Sequence, residues 1–249
     1  MKSIEELKLN IFMFGEKTEN AAASPVLAPA LKAVGAVCDL AADERYKDVM
    51  TTVSPITGER INRFNHIFQN SSDLIKKLKM QRLCGGRMAA CLHRSAGLDA
   101  MNALYSTAFE TDKKYGTRYF DNLRSFLAHV QGGDLTVDGA VADPKEPASE
   151  SESSEIRLRV VERKPGGVVV RGAKMQNVGV CASHDIIAIP SGAVKEADKA
   201  IAFAVPTDAE GIMIIIGSQS DGGARPGDGF YGETEALVVF DDVFVPNER

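Results

Sequence analysis

The sequence predicts an α+β protein, with an α-helical domain over residues 1–135 followed by a β domain over residues 136–249. Three observations lead there. Apolar residues recur at helical spacing through most of the first half. The second half breaks into short β-branched runs bounded by Gly, Pro or Asp, without long helices between them. That texture favours a barrel or sandwich over a parallel α/β sheet. The charge balance shifts at the same place, from 18 Lys/Arg against 15 Asp/Glu to 11 against 19.

In chain order, "SIEELKLNIFMF" opens with Ser3 and Glu6 in a capping-box pattern and predicts a helix. "SPVLAPALKAVGAVCDLAAD" has helical spacing after its prolines. "SSDLIKKLKMQRL" starts with the polar cap candidates Ser71, Ser72 and Asp73. Helical spacing then runs past Phe109, interrupted by Gly85 and Gly86. "YGTRYFDNLRSFLAHVQGG" predicts a further helix ended by Gly132 and Gly133. "IRLRVVERKPGGVVVRGAK" is a hairpin turning at "KPGG". "DIIAIP", "AIAFAVP", "GIMIIIG" and "EALVVFDDVFVP" predict four more strands. "GGARPGDG" is a loop without the Lys-Ser/Thr ending of a phosphate-binding loop.

Composition excludes several classes. The 249 residues are 44% hydrophobic with a net charge of −5. No apolar run approaches the ~20 residues that span a bilayer, and the N-terminus lacks the apolar core of a secretory signal. A cytoplasmic protein without membrane partners is expected. No basic stripe with interleaved aromatics points to nucleic acid. The scattered Cys38, Cys84, Cys91 and Cys181 are expected to stay reduced.

"QRLCGGRMAACLHRSAGLDA" (81–100) raises the question of a metal site. Cys84, Met88, Cys91, Ser95 and Leu98 form one helical stripe, which reads first as core. Cys84 and Cys91 are ~10.5 Å apart along a helix, wide for one metal, and no Cys-x2-Cys is present. His66 and His129 read as surface or capping residues, whereas His184, just before a strand, is a site candidate. Glu233 and Glu235 alternate along a strand, so one is expected to point inward as a candidate base.

Together "FMFGEKTEN", "DVMTTVSPITGERINRFNHIFQNSSDLIKKLKMQR", "GLDAMNALYSTAFETDKKYGTRYF", "VDGAVADPK", "VVRGAK" and "EALVVFDDVFVPNER" resemble the 4-hydroxybutyryl-CoA dehydratase/vinylacetyl-CoA Δ-isomerase family. That family shares a superfamily with the oxygenase component of 4-hydroxyphenylacetate 3-monooxygenase. The resemblance runs collinearly through the chain and matches the N-terminal half of a usual member. It implies an acyl-CoA dehydrogenase-like fold: an N-terminal helical domain, a middle β-barrel or sandwich domain, and a C-terminal helical bundle absent from this sequence. It also implies FAD between the β domain and that bundle, a homo-oligomer, and an acyl-CoA or aromatic small-molecule substrate.

Site residues follow from the same resemblance. Val141, Ala142, Asp143, Pro144 and Lys145 match one flavin-holding segment, although the Gly-Asp-Arg that follows it in the family is absent here. Gln176, Asn177 and Val178 match a second, with Val178 replacing a threonine. Glu235 matches a glutamate near the active site. The dehydratase carries a [4Fe-4S] cluster on a Cys-x3-Cys motif. Cys91 matches its first cysteine, and Ser95 occupies the place of its second.

Three functions are therefore expected. The first is a flavin-dependent dehydratase or isomerase acting on a short acyl-CoA, completed by a C-terminal half or second chain. The second is a cluster-free, two-component flavin monooxygenase, which Ser95 favours. The third is a half-length, non-catalytic partner subunit.

Overall fold

A computed structural model describes residues 4–18, 23–88, 94–144, 156–217 and 234–249. Among the described residues, five α-helices form the helical layer. Helix α1 (Ala28–Ala42) has a proline in its first turn and buries Ala30, Ala33, Val34 and Val37. Helix α2 is the short Lys47–Met50. Helix α3 (Ser71–Met88) buries Met80, Cys84 and Met88 on one face. Helix α4 (Ser95–Tyr115) ends at Gly116, whose φ of 68° takes the left-handed cap that glycine adopts without a Cβ penalty. Helix α5 (Tyr119–Gly133) reaches through both glycines and turns at Asp134, φ 45°, not at a glycine.

The strands are β1 (Ile11–Met13), β2 (Glu16–Thr18), β3 (Thr51–Val53), β4 (Arg60–Asn62), β5 (Val137–Ala140), β6 (Arg159–Lys164), β7 (Gly167–Asn177), β8 (Asp185–Ala188), β9 (Phe203–Pro206), β10 (Ile212–Ile216) and β11 (Ala236–Pro246). One six-stranded sheet runs β2-β1-β10-β11-β7-β6, and a three-stranded sheet runs β5-β8-β9. The predicted β6–β7 hairpin forms, with Lys164 opposite Gly167. Its Pro165-Gly166 turn suits proline's fixed φ followed by Gly166 at φ 85°.

Two sequence expectations change here. The first stretch is not a long helix: a 3-10 turn, Ile4–Glu6, leads into β1, which pairs in parallel with β10. Ile11 is fully buried there beside Ile214. Burial against a strand some 200 residues away outweighs the local capping signal. Likewise, the interruption expected at Gly85 and Gly86 does not form. Helix α3 runs through both glycines to Met88, and α4 starts at Ser95, with residues 89–93 outside the described residues.

Between barrel and sandwich, the described residues form no closed barrel. The two sheets face each other across one core that holds Ile186, Ala188 and Val205 from the smaller sheet and Ile214, Val238 and Phe240 from the larger. Phe203 and Phe240 meet edge to face across it, 5.7 Å between centroids. The opposite face of the smaller sheet supplies Val137, Ile187 and Ala204 to a second core with α4 and α5. A third core joins α1, α3 and the start of α4 through Val37, Met80, Cys84 and Leu98. No helix among the described residues is long and apolar enough to cross a membrane.

Helix α4 meets β5 through two glycines. A Cβ on Gly97 would lie 2.0 Å from the Val137 carbonyl oxygen, and one on Gly139 would lie 2.5 Å from the Ala96 backbone. This contact sets the distance between the helical layer and the strand that leads into the site. Gly139→Ala should therefore lower unfolding stability by about 1–3 kcal/mol or more. Gly132→Ala, where nothing lies within 4 Å, should leave it nearly unchanged. Urea denaturation of both variants tests this, and equal stability would contradict the contact.

Candidate functional site

The site is built around Lys174, an ionisable side chain only 2% exposed. Its Nζ donates to Val141 O (3.1 Å), Asp143 Oδ1 (2.5 Å) and Ile189 O (2.8 Å). An ammonium has three N–H bonds, and each is used. The second Asp143 oxygen accepts from Ser191 Oγ at 2.5 Å. Burial works against the Asp143 charge, yet Lys174 and Ser191 together hold its carboxyl below the usual range. The Met175 amide donates to Ala142 O at 2.9 Å and closes the contact from the other side.

These bonds bring the two matched segments together. Val141, Ala142, Asp143 and Pro144 are half-exposed and lie against the end of β7. Gln176 is exposed with φ 59°, a left-handed conformation uncommon for a residue with a side chain. Asn177 behind it is buried, and its Nδ2 donates to Lys174 O (2.9 Å) and Ala236 O (3.4 Å). Asn177 Oδ1 is buried without a hydrogen-bond partner. Val178 is half-exposed and carries no hydroxyl. Lys145 lies outside the described residues.

Glu235 is adjacent. Ala236 pairs with Asn177 across β11 and β7, so Glu235 leads directly into the same strand end. Its side chain is exposed, while Thr234 and Ala236 are buried. The alternation thus turns Glu235 away from the sandwich core, on the same outer edge as Gln176. Glu233 lies outside the described residues.

Asp138, which the sequence reading missed, supports this edge from inside. It is 1% exposed and accepts from the Gly179 amide at 3.3 Å. Its Oδ2 is buried without a partner. Burial pushes the carboxyl up to about 7, against the backbone bonds from Gly179 and Gly139. Burial, then the neighbouring Asp138, push the Cys181 thiol up to about 12 and keep it unreactive. The available signal was an acid between Val137 and Gly139 in an otherwise apolar strand; for Lys174 it was a cation in "VVVRGAKM".

The iron–sulfur expectation meets a different environment. Cys91 lies outside the described residues. Ser95 is buried at the start of α4 and its Oγ accepts from Gln81 Nε2 at 3.1 Å. It offers a hydroxyl, not a thiolate, which does not fit a cluster ligand. No group of three or more His, Cys, Asp or Glu among the described residues is placed to hold a metal. Cys84 is buried core.

The histidines also sort by position. His184 Nδ1 accepts from the Thr136 amide at 3.1 Å, a link between β5 and β8 away from the Lys174 cluster. His66 is buried, not superficial, with Nε2 3.2 Å from Asp73 Oδ2. His129 is exposed.

Comparison with known proteins adds to this geometry. Residues 1–249 match the family described as 4-hydroxyphenylacetate 3-hydroxylase N terminal. The 4-hydroxybutyryl-CoA dehydratase/vinylacetyl-CoA-Δ-isomerase of Clostridium aminobutyricum is 43% identical over 263 residues, covering 100% of this chain and 54% of the relative. The oxygenase component of 4-hydroxyphenylacetate 3-monooxygenase from Thermus thermophilus is 29% identical, covering 99% and 53%. An oxygen-tolerant archaeal 4-hydroxybutyryl-CoA dehydratase from N. maritimus superposes with a TM-score of 0.91 at 36% identity, over 99% of this chain and 51% of that one. The oxygenase HpaB, complexed with FAD and 4-hydroxyphenylacetate, superposes with a TM-score of 0.81 at 26% identity, over 99% and 52%. The chain spans about half the length of the curated relatives it matches.

The buried Asp138 has a measurable consequence. The folded chain keeps its proton up to about pH 7, whereas the unfolded chain releases it near 3.8. Between these values the folded state binds more protons, so this group's contribution to stability falls as pH rises. Asp138→Asn removes that titration. Wild-type stability minus that of the variant should drop by a few kcal/mol, as an order of magnitude, across the window. Urea unfolding from pH 4 to 8 measures it, and a flat difference would contradict the burial.

Proposed function

Because the chain belongs to the 4-hydroxyphenylacetate 3-hydroxylase N-terminal family, we propose that it supplies the flavin-facing part of a flavin-dependent enzyme acting on a short acyl-CoA. One observation carries the reading: Val141–Pro144, Gln176, Val178 and Glu235 lie along one partly exposed edge of the sandwich, with Asn177 buried behind Gln176. In this proposal a second half, on the same chain or another, covers that edge in an acyl-CoA dehydrogenase-like arrangement. Assembly as a homo-oligomer belongs to the same reading.

The residues present fit a flavin dinucleotide. Lys174 neutralises Asp143, so the 141–144 segment does not set a bare carboxylate against a diphosphate. Gln176 offers a side-chain amide in a turn that exposes it, with Asn177 buried behind it. Val178 supports a ring by apolar contact alone. Bound FAD would supply reversible electron transfer beside the substrate. Glu235, a carboxylate on the same edge, is positioned to take and return a substrate proton. The 43% identity to a dehydratase and isomerase of 4-hydroxybutyryl- and vinylacetyl-CoA supports the acyl-CoA class.

Ser95 favours a second reading, a flavin-dependent monooxygenase without a cluster, because the serine replaces a thiolate and already accepts from Gln81. Iron and sulfide analysis separates the two: a full cluster per chain excludes the monooxygenase reading.

For the flavin reading, the chain is assembled with the half its relatives carry and titrated with FAD. One FAD per chain is expected, and Glu235→Gln should keep the flavin while lowering turnover about 100-fold or more. A complete assembly that binds no FAD would overturn the proposal.

A further inference from the structure

The Gln176–Gly179 turn is costly to hold. A left-handed residue with a side chain costs about 1–2 kcal/mol, so its neighbours must enforce it. Behind the turn, Gly179 is gripped at both ends of its backbone. Its carbonyl accepts from Ser183 Oγ (2.9 Å) and the Ala182 amide (3.0 Å). Its amide donates to Asp138 Oδ1 (3.3 Å). Asp138 reaches it from β5, a strand of the opposite sheet, through the shared core. That carboxyl is the bond from β5 to a turn on the flavin edge, and it occupies an apolar interior in which its second oxygen has no partner. Such a group is expensive to bury for packing alone.

We propose that Asp138 is a positioning residue for the cofactor: by accepting the Gly179 amide from inside the core it holds the Gln176–Val178 face in its binding geometry. The inference rests on the flavin reading of that face. Asp138 itself is sealed from any ligand and acts only through the turn. The titratable group facing it is the Cys181 thiol, which stays protonated beside it.

Two substitutions separate positioning from simple core filling. Asp138→Leu fills the same space and removes the acceptor; Asp138→Asn keeps an acceptor oxygen. Hydrogen exchange on the chain should show the Gly179 amide exchanging about 10-fold or more faster in the leucine variant. The amides of β8 and β11 should hold, and the asparagine variant should stay within about 3-fold of wild type. In the complete assembly, FAD affinity should fall about 10-fold with leucine and be retained with asparagine. Cys181→Ala, which loosens the same core without touching the bond, should leave both readouts unchanged.

Unaltered Gly179 exchange in Asp138→Leu overturns the proposal, as does uniform acceleration through β8 and β11. Altered exchange with unchanged FAD affinity overturns the coupling to the cofactor. An assembly that binds no FAD in any form overturns the flavin reading, while the exchange result still decides whether Asp138 holds the turn. Should the leucine variant fail to fold, the wild type provides the test. The Gly179 amide resonance must shift with the titration of the Asp138 carboxyl, and an unmoved resonance overturns the bond.

Discussion

The Lys174 ammonium is the constraint from which the site follows. Removing a cation from water costs several kcal/mol, and an unpaired one would not survive in this core. The chain meets that cost with a carboxylate and two backbone carbonyls from three places: Asp143, Val141 and Ile189. A single side chain on β7 therefore fixes the connector after β5 and the exit of β8. Without it, the segment around Asp143 has a negative charge and no anchor. With it, that segment becomes a neutral edge next to Gln176.

The sandwich then divides the chemistry by face. Residues facing the core between the sheets meet apolar neighbours, so Asp138 on β5 is driven toward its neutral form and the thiol of Cys181, in the turn after β7, stays unreactive. Residues on the outer side keep contact with water, as Glu235 and Gln176 do. Strand alternation decides which carboxyl is buried, as Asp138 is, and which faces water, as Glu235 does. The glycine contacts between α4 and β5 carry the same logic to the helical layer, because they fix the height of the strand that bears Asp138.

Much of this was legible in the sequence where the signal is local. The Pro165-Gly166 hairpin and the short strands of the second half carry their turn chemistry and β-branching within a few residues. Helices α1 and α5 similarly show their periodicity in place. What escaped depends on partners far along the chain. Ile11 joins β10 across some 200 residues, and no local pattern near Ser3 and Glu6 announces it. Lys174 and Asp138 were not singled out by any local pattern, since burial and partnership are properties of the folded sandwich. The segments matched to a flavin site came from resemblance; their adjacency came from the structure, through the Ala142–Met175 bridge.

The central claim is that one clasped edge of the sandwich receives a flavin. Hydrogen exchange of the complete assembly, with and without added FAD, addresses it most directly. The account predicts flavin-dependent protection confined to the backbone around Ala142 and Asp143 and from Met175 to Gly179, next to Glu235. Protection that falls elsewhere and leaves both segments unchanged would contradict it.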